Sequence, residues 1–197
     1  MDKQVIISVS REYGSGGHYI AEKLSKELGI ELLDKNFLEL IAKELNCDSD
    51  ELKKFDEAKN KLFINRTVRG MSSSAEDNFA QIQFEYIKKK AAEGKSMVVV
   101  GRCSEYVLRD YDCLISVFVM GDTDARIKRI MDVKKLNENE AKKAINKMDS
   151  TRRAYHNGHC DTKWGDMKNY DLCINSSPIG LDAAVKLIKD YVISTMS

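Results

Sequence analysis

The sequence predicts an α/β fold of three layers, a parallel sheet with helices covering both faces. Three observations carry this prediction. Short apolar, β-branched runs alternate with stretches of helical periodicity along the whole chain. Runs such as Met97 to Val100 are apolar on consecutive residues, which suits a parallel strand buried on both faces. A glycine cluster follows the first run directly and leads into an amphipathic segment, an arrangement that favours a ligand at the C-terminal edge of the sheet.

Val5 to Ser10 reads as a buried first strand, and Arg11 to His18 as a glycine-bearing turn. Ile20, Ala21, Leu24 and Leu28 repeat at helical spacing, with Gly29 as the natural stop. Ile30 to Leu33 forms a short strand ending at Asp34, and Phe37, Leu38, Ile41, Ala42 and Leu45 resume the helical period. Ser49 suits the cap of a further helix to about Lys61, and a loop follows between Arg66 and Ser74. Ser73 and Glu76 have the spacing of a capping box for a long helix that stops at Gly94. Ser96 to Val100 and Cys113 to Met120 are the third and fourth strands. Asp122 can cap the helix carrying Arg126 and Arg129, and Asn137 with Glu140 opens another helix that reaches about Tyr155. Asn157 to Asn169 reads as irregular, Leu172 to Asn175 as the last strand, and Leu181 to Val192 as the last helix.

Composition excludes several function classes. The 197 residues suit one domain with a sizeable core. With 32 basic and 31 acidic residues there is no global field to hold nucleic acid or an anionic membrane, so anion binding must come from a local cluster. The apolar runs are too short to span a bilayer, and the N-terminus is expected not to be a signal peptide. Five cysteines without CxxC spacing read as reduced thiols, which suits the cytoplasm. The adjacent pair His159 and Cys160 is a poor metal-ligand set.

Gly14-Ser15-Gly16-Gly17 follows the first strand and precedes a helix. Glycines there let backbone N–H groups converge on a phosphate, and the helix N-terminus adds favourable partial charge. The alternative is a plain glycine turn. A full phosphate loop would read Gly-x4-Gly-Lys-Ser/Thr. Here Gly17 holds the lysine position, and His18 or Tyr19 the hydroxyl position. Losing one such charge donor costs roughly 3 kcal/mol, about a hundredfold in rate. Arg11 flanks the loop and can replace that charge.

Five segments together resemble the cytidylate kinase-like family. They are Ile7 to Gly17, Val98-Val99-Val100-Gly101-Arg102, Asp149-Ser150-Thr151-Arg152-Arg153, Trp164-Gly165-Asp166, and Asn169 to Ser177. The resemblance spans nearly the whole chain. It implies a P-loop fold of the nucleoside monophosphate kinase type, ATP as donor with Mg2+, and a nucleoside monophosphate, cytidylate first, as acceptor. It also implies an acceptor lobe at about 35–75 and a lid at about 126–165.

Candidate site residues follow from both readings. Arg11, Gly14, Ser15, Gly16, Gly17 and His18 would hold the donor phosphates. Arg102 ends a strand after Gly101, where a guanidinium can grip a phosphate bidentately, and the resemblance assigns it to the acceptor. Arg126, Arg129 and Arg152 are candidates to neutralise the moving charge, with Arg153 and Asp34 at the acceptor. Each has a plain alternative. Asp34 suits an N-cap equally well. The arginines could form helix ion pairs, for instance Asp149 with Arg153. Trp164 reads as a packing anchor, and His156 and His159 as surface residues.

Overall fold

The structure is a computed structural model that describes residues 3–34, 37, 40–41 and 75–196. The expected helix from Ser49, the loop at 66–74 and the cap Ser73 lie outside the described residues, as does most of the expected acceptor lobe. Five parallel strands form one sheet in the order β2-β3-β1-β4-β5: β1 Ile6–Arg11, β2 Glu31–Leu33, β3 Met97–Val100, β4 Leu114–Met120 and β5 Leu172–Asn175. β1 is central, with Ile6 facing Met97 on one side and Leu114 on the other. Among the described residues the α-helices with defined bounds are α1 Gly17–Leu28, α2 Ala75–Ala92, α3 Ser104–Val107, α4 Thr123–Lys134, α5 Glu138–His159, α6 Ser176–Ile179 and α7 Leu181–Met196, and Phe37, Leu40 and Ile41 are also helical.

The period-two alternation of β1 divides the core. Val5, Ile7 and Val9 pack with Ile20 and Leu24 of α1 and Val185, Ile188 and Val192 of α7. Ile6 faces the other layer with Met97, Val99, Ile87 and Leu108. Beyond Ile6 that second face turns polar, because Ser8 and Ser10 take the same side and are buried.

Chain punctuation behaves as its chemistry requires. Gly29 closes α1 in the left-handed region at φ 66°, where its N–H reaches Ser25 O. Asn137 and Glu140 form a reciprocal capping box at the start of α5. Two expectations are corrected. Asp122 occupies the N-cap of α4 but its side chain caps nothing; Oδ1 accepts from Asn175 Nδ2 at 2.8 Å instead, because β5 ends beside it. Helix α5 runs past Tyr155 to His159, where the Cys160 N–H closes on His156 O, so its last turn takes residues read as irregular. The described cysteines, Cys103, Cys113, Cys160 and Cys173, are free thiols.

Candidate functional site

The strands end together where β1 gives way to the loop from Glu12 to Gly16. Gly14 and Gly16 adopt φ 83° and 84°, a region that side chains disfavour. A Cβ on Gly14 would lie 3.0 Å from Arg126 O, so the loop also needs glycine for its approach to α4. Later segments fasten the loop through its carbonyls. Gly14 O accepts from Arg129 NH1 at 2.5 Å, Tyr13 O from Arg126 Nε at 2.8 Å, Arg11 O from Arg152 NH1 at 2.9 Å, and Ser15 O from Ser176 Oγ at 2.6 Å. Asp149 Oδ1 receives the Tyr13 N–H at 2.7 Å, and its other oxygen pairs with Arg126. Glu12 Oε2 takes Arg126 NH1 at 3.2 Å and the Gly121 N–H at 3.0 Å. The carbonyls are thus engaged, while the N–H groups of Gly14, Gly16 and His18 meet no acceptor among the described residues. Free amides at the start of a twelve-residue helix are an arrangement that can receive an anion.

Gly17 has a steric cause. A Cβ there would lie 2.5 Å from Arg11 Cβ and 3.0 Å from its Cγ. The Arg11 side chain runs over Gly17 and onward to Gly101, whose own Cβ would meet Arg11 NH1 at 2.3 Å. Arg11 therefore fills the space above the position where a phosphate loop carries lysine. Its Nε is enclosed without a hydrogen-bond partner. Its pKa is lowered to about 9, chiefly by burial and then by Arg152 and Arg102, against the opposing Asp34 and Glu105. The charges of Arg102 and Arg152 thus act on the Arg11 guanidinium at the C-terminal end of the sheet.

Arg102 takes φ 59° and Cys103 φ 54°, so the turn after β3 holds two non-glycine residues in the left-handed region. The charge of Arg102 acts on Tyr155 of α5, whose phenol is pushed up chiefly by burial. Arg152 lies 5.6 Å over the Tyr13 ring, and burial lowers its pKa too. Arg153 is exposed and stacks on Trp164 at 5.5 Å, while Trp164 packs edge-on against Phe118. His18 Nδ1 lies 3.1 Å from Asp34 Oδ2, joining the start of α1 to the end of β2. The structure therefore brings Arg11, Arg102, Arg152, Asp34 and the glycine loop together. Arg126 and Arg129 lie behind the loop, holding its shape, and Asp149 pairs with Arg126 rather than Arg153.

Sequence reasoning missed the polar layer beneath this mouth. Glu105 is buried, its Oε2 accepting from Ser8 Oγ at 3.3 Å and Ser10 Oγ at 3.2 Å, and its Oε1 meeting His156 Nε2 at 2.8 Å. Ser8 and Ser104 share a 2.6 Å hydrogen bond. The expectation that His156 is a surface residue is corrected: it is 3% exposed, because the longer α5 docks its last turn onto the β3–α3 turn. Serines at alternate positions of a central strand were the available signal. A cavity of about 500 Å³, bordered by Gln4, Asp112 and Tyr191, opens at the opposite edge of the sheet, away from these groups.

Residues 6–178 match the cytidylate kinase-like family. The chain belongs to that family. It is similar to a cytidylate kinase of Pyrobaculum neutrophilum, at 22% identity over 98% of this chain and 95% of that protein. A crystal structure of an uncharacterized protein from Eubacterium ventriosum is similar with a TM-score of 0.75 and 35% identity, covering 97% of this chain and 99% of that one. A shikimate kinase from Acinetobacter baumannii, solved with shikimate, superposes with a TM-score of 0.54 at 13% identity, over 97% and 94% of the two chains. One from Bacteroides thetaiotaomicron gives 0.55 at 10%, over 95% and 98%. At those identities the likeness establishes the fold, that of the P-loop kinases. Within this cytidylate kinase-like chain, no helix among the described residues is long and apolar enough to cross a membrane.

Proposed function

We propose that the protein is a nucleoside monophosphate kinase that moves the terminal phosphoryl group of ATP to a monophosphate, with cytidylate the first candidate. The observation that carries this is the guanidinium cluster facing the amides of the glycine loop: Arg11 enclosed above Gly17, with Arg102 and Arg152 beside it. Phosphoryl transfer depends mainly on positioning and charge neutralisation. The amides of Gly14, Gly16 and His18 hold the donor phosphates, and Ser15 keeps the loop closed through its bond to Glu12 O. Arg11 supplies the positive charge that Gly17 cannot. Arg102 grips the acceptor phosphate from the end of β3. Arg152, on the lid helix α5, closes the charge balance, with Arg153 at the rim. Arg126 and Arg129 serve through the loop they hold.

The donor set tests the fit of Mg2+. The Ser15 hydroxyl is engaged by Glu12 O and the Gly17 N–H, and no group of three or more His, Cys, Asp or Glu is placed to hold a metal among the described residues. Asp34 is the oxygen donor at the mouth, and it suits a cation held largely by nucleotide oxygens and water. Such a cation would neutralise charge on the transferred group.

A coupled ADP-release assay over a panel of nucleoside monophosphates tests the reading. Turnover on one or two of them supports it. Gly17 favours one rival, a nucleotide-binding protein without kinase activity; stabilisation by ATP with no turnover on any acceptor would establish that instead. ATP consumption only with a non-nucleotide acceptor would place this chain among kinases of other small molecules.

A further inference from the structure

Cys103 and Cys160 lie together in a buried satellite cluster with Ala80 and Phe84. Fifty-seven positions separate them in sequence, and they belong to the two arms of the site. Cys103 directly follows Arg102 in the left-handed turn after β3, and Cys160 closes α5. His156 lies one turn before Cys160. Its Nε2 is tied to Glu105, while its buried Nδ1 has no formed hydrogen bond. Cys160 is 9% exposed, next to the exposed Asp161, and Cys103 is 3% exposed. Neither thiol has a role in the proposed phosphoryl transfer.

We propose that Cys160 is a site of oxidation by a small peroxide, with Cys103 as its resolving partner, and that the resulting disulfide fastens the turn of Arg102 to the end of the lid helix. Cys160 is the attacking group because it is the more accessible of the two and faces the protonatable ring of His156. Burial opposes charge on that ring, yet the neighbouring Cys160 and Glu105 outweigh burial and raise its pKa to about 10. The neighbouring Cys103 thiol, and then His156, hold Cys160 below the ordinary thiol range against the effect of burial, while Cys160 and burial push Cys103 up. In the first step the Cys160 thiolate attacks a peroxide oxygen, the O–O bond breaks, and hydroxide leaves as water after taking a proton, giving the sulfenic acid. In the second, Cys103 sulfur attacks that sulfur, the S–O bond breaks, and a second water leaves with the Cys103 proton. Two thiols become one disulfide as one peroxide becomes two waters.

The test uses the full chain with hydrogen peroxide, read by intact mass and non-reducing peptide mapping. The expected result is a loss of two hydrogens mapped to a Cys103–Cys160 cross-link and reversed by a dithiol. Cys103→Ser should leave Cys160 as a sulfenic acid trapped by a dimedone probe, and Cys160→Ser should abolish the cross-link. Limited alkylation of the unmodified chain by iodoacetamide gives a measurement independent of any variant's folding: Cys160 should react before Cys113 and Cys173. Absence of the cross-link, or faster alkylation of Cys113 or Cys173, would overturn the proposal. None of these readouts depends on which acceptor the protein phosphorylates.

Discussion

Replacing Gly17 by alanine isolates the contact that makes this phosphate loop unusual. In a helix alanine is favoured over glycine by about 1 kcal/mol, so a free site would gain stability. Here the new Cβ would stand 2.5 Å from Arg11 Cβ, 3.0 Å from Arg11 Cγ and 3.4 Å from Val119 Cβ. Arg11 Cβ is fixed to the backbone of β1, so no rotamer removes the first contact and the strand or helix must shift. Overpacking of this kind costs about 1–3 kcal/mol. With no rotamer to relieve a 2.5 Å contact, the cost falls in the upper part of that range, about 2–3 kcal/mol, so the variant should lose roughly 1–2 kcal/mol net. That loss lowers the melting midpoint by about 2–8 °C for a chain of this size. Thermal and urea unfolding measure it directly. In an Arg11→Gly background the opposing Cβ is gone, and Gly17→Ala should become neutral or stabilising, with a coupling of about 1–3 kcal/mol. A Gly17→Ala protein that melts at or above the parent, or one that costs the same in both backgrounds, would refute the account of why glycine stands there. By the same reasoning, Gly17→Lys should displace Arg11 rather than add a second cation.

Three further outcomes are expected. Arg11→Ala should slow phosphoryl transfer by about a hundredfold on any acceptor that turns over, measured by ADP release. His156→Gln leaves Glu105 buried beside an uncharged partner and should cost about 3–5 kcal/mol at neutral pH by urea unfolding. His156 is held protonated by the fold, so its contribution is complete below the ordinary histidine pKa of about 6.5 and is lost as pH rises through about 10, and His156→Gln should flatten stability across that window. Asp149→Asn removes one of the two carboxylates that pair with Arg126, leaving Glu12, while keeping an acceptor for the Tyr13 N–H. It should cost about 2–4 kcal/mol by urea unfolding, less than a fully enclosed pair because the Asp149 side chain keeps 14% exposure.

Much of this molecule was legible in the sequence. Strand positions, the alternation with helices, the stop at Gly29 and the Asn137–Glu140 cap are local consequences of side-chain shape, periodicity and backbone preference. They need no knowledge of distant partners. The glycine loop was legible for the same reason, since its conformation depends on residues adjacent in the chain. What only tertiary structure decided is which distant groups meet. Arg126, Arg129 and Arg152 have similar sequence surroundings. The packing of α4 and α5 turns the first two toward the back of the loop and sets Arg152 at its mouth. Ser8 and Ser10 read as strand residues, but the docking of α5 makes them donors to Glu105, with His156 as its counter-charge. Gly17 read as a missing lysine; in the fold it is the space that Arg11 fills. Periodicity reports which face of an element is buried, and it carries nothing about what the neighbouring element presents to that face.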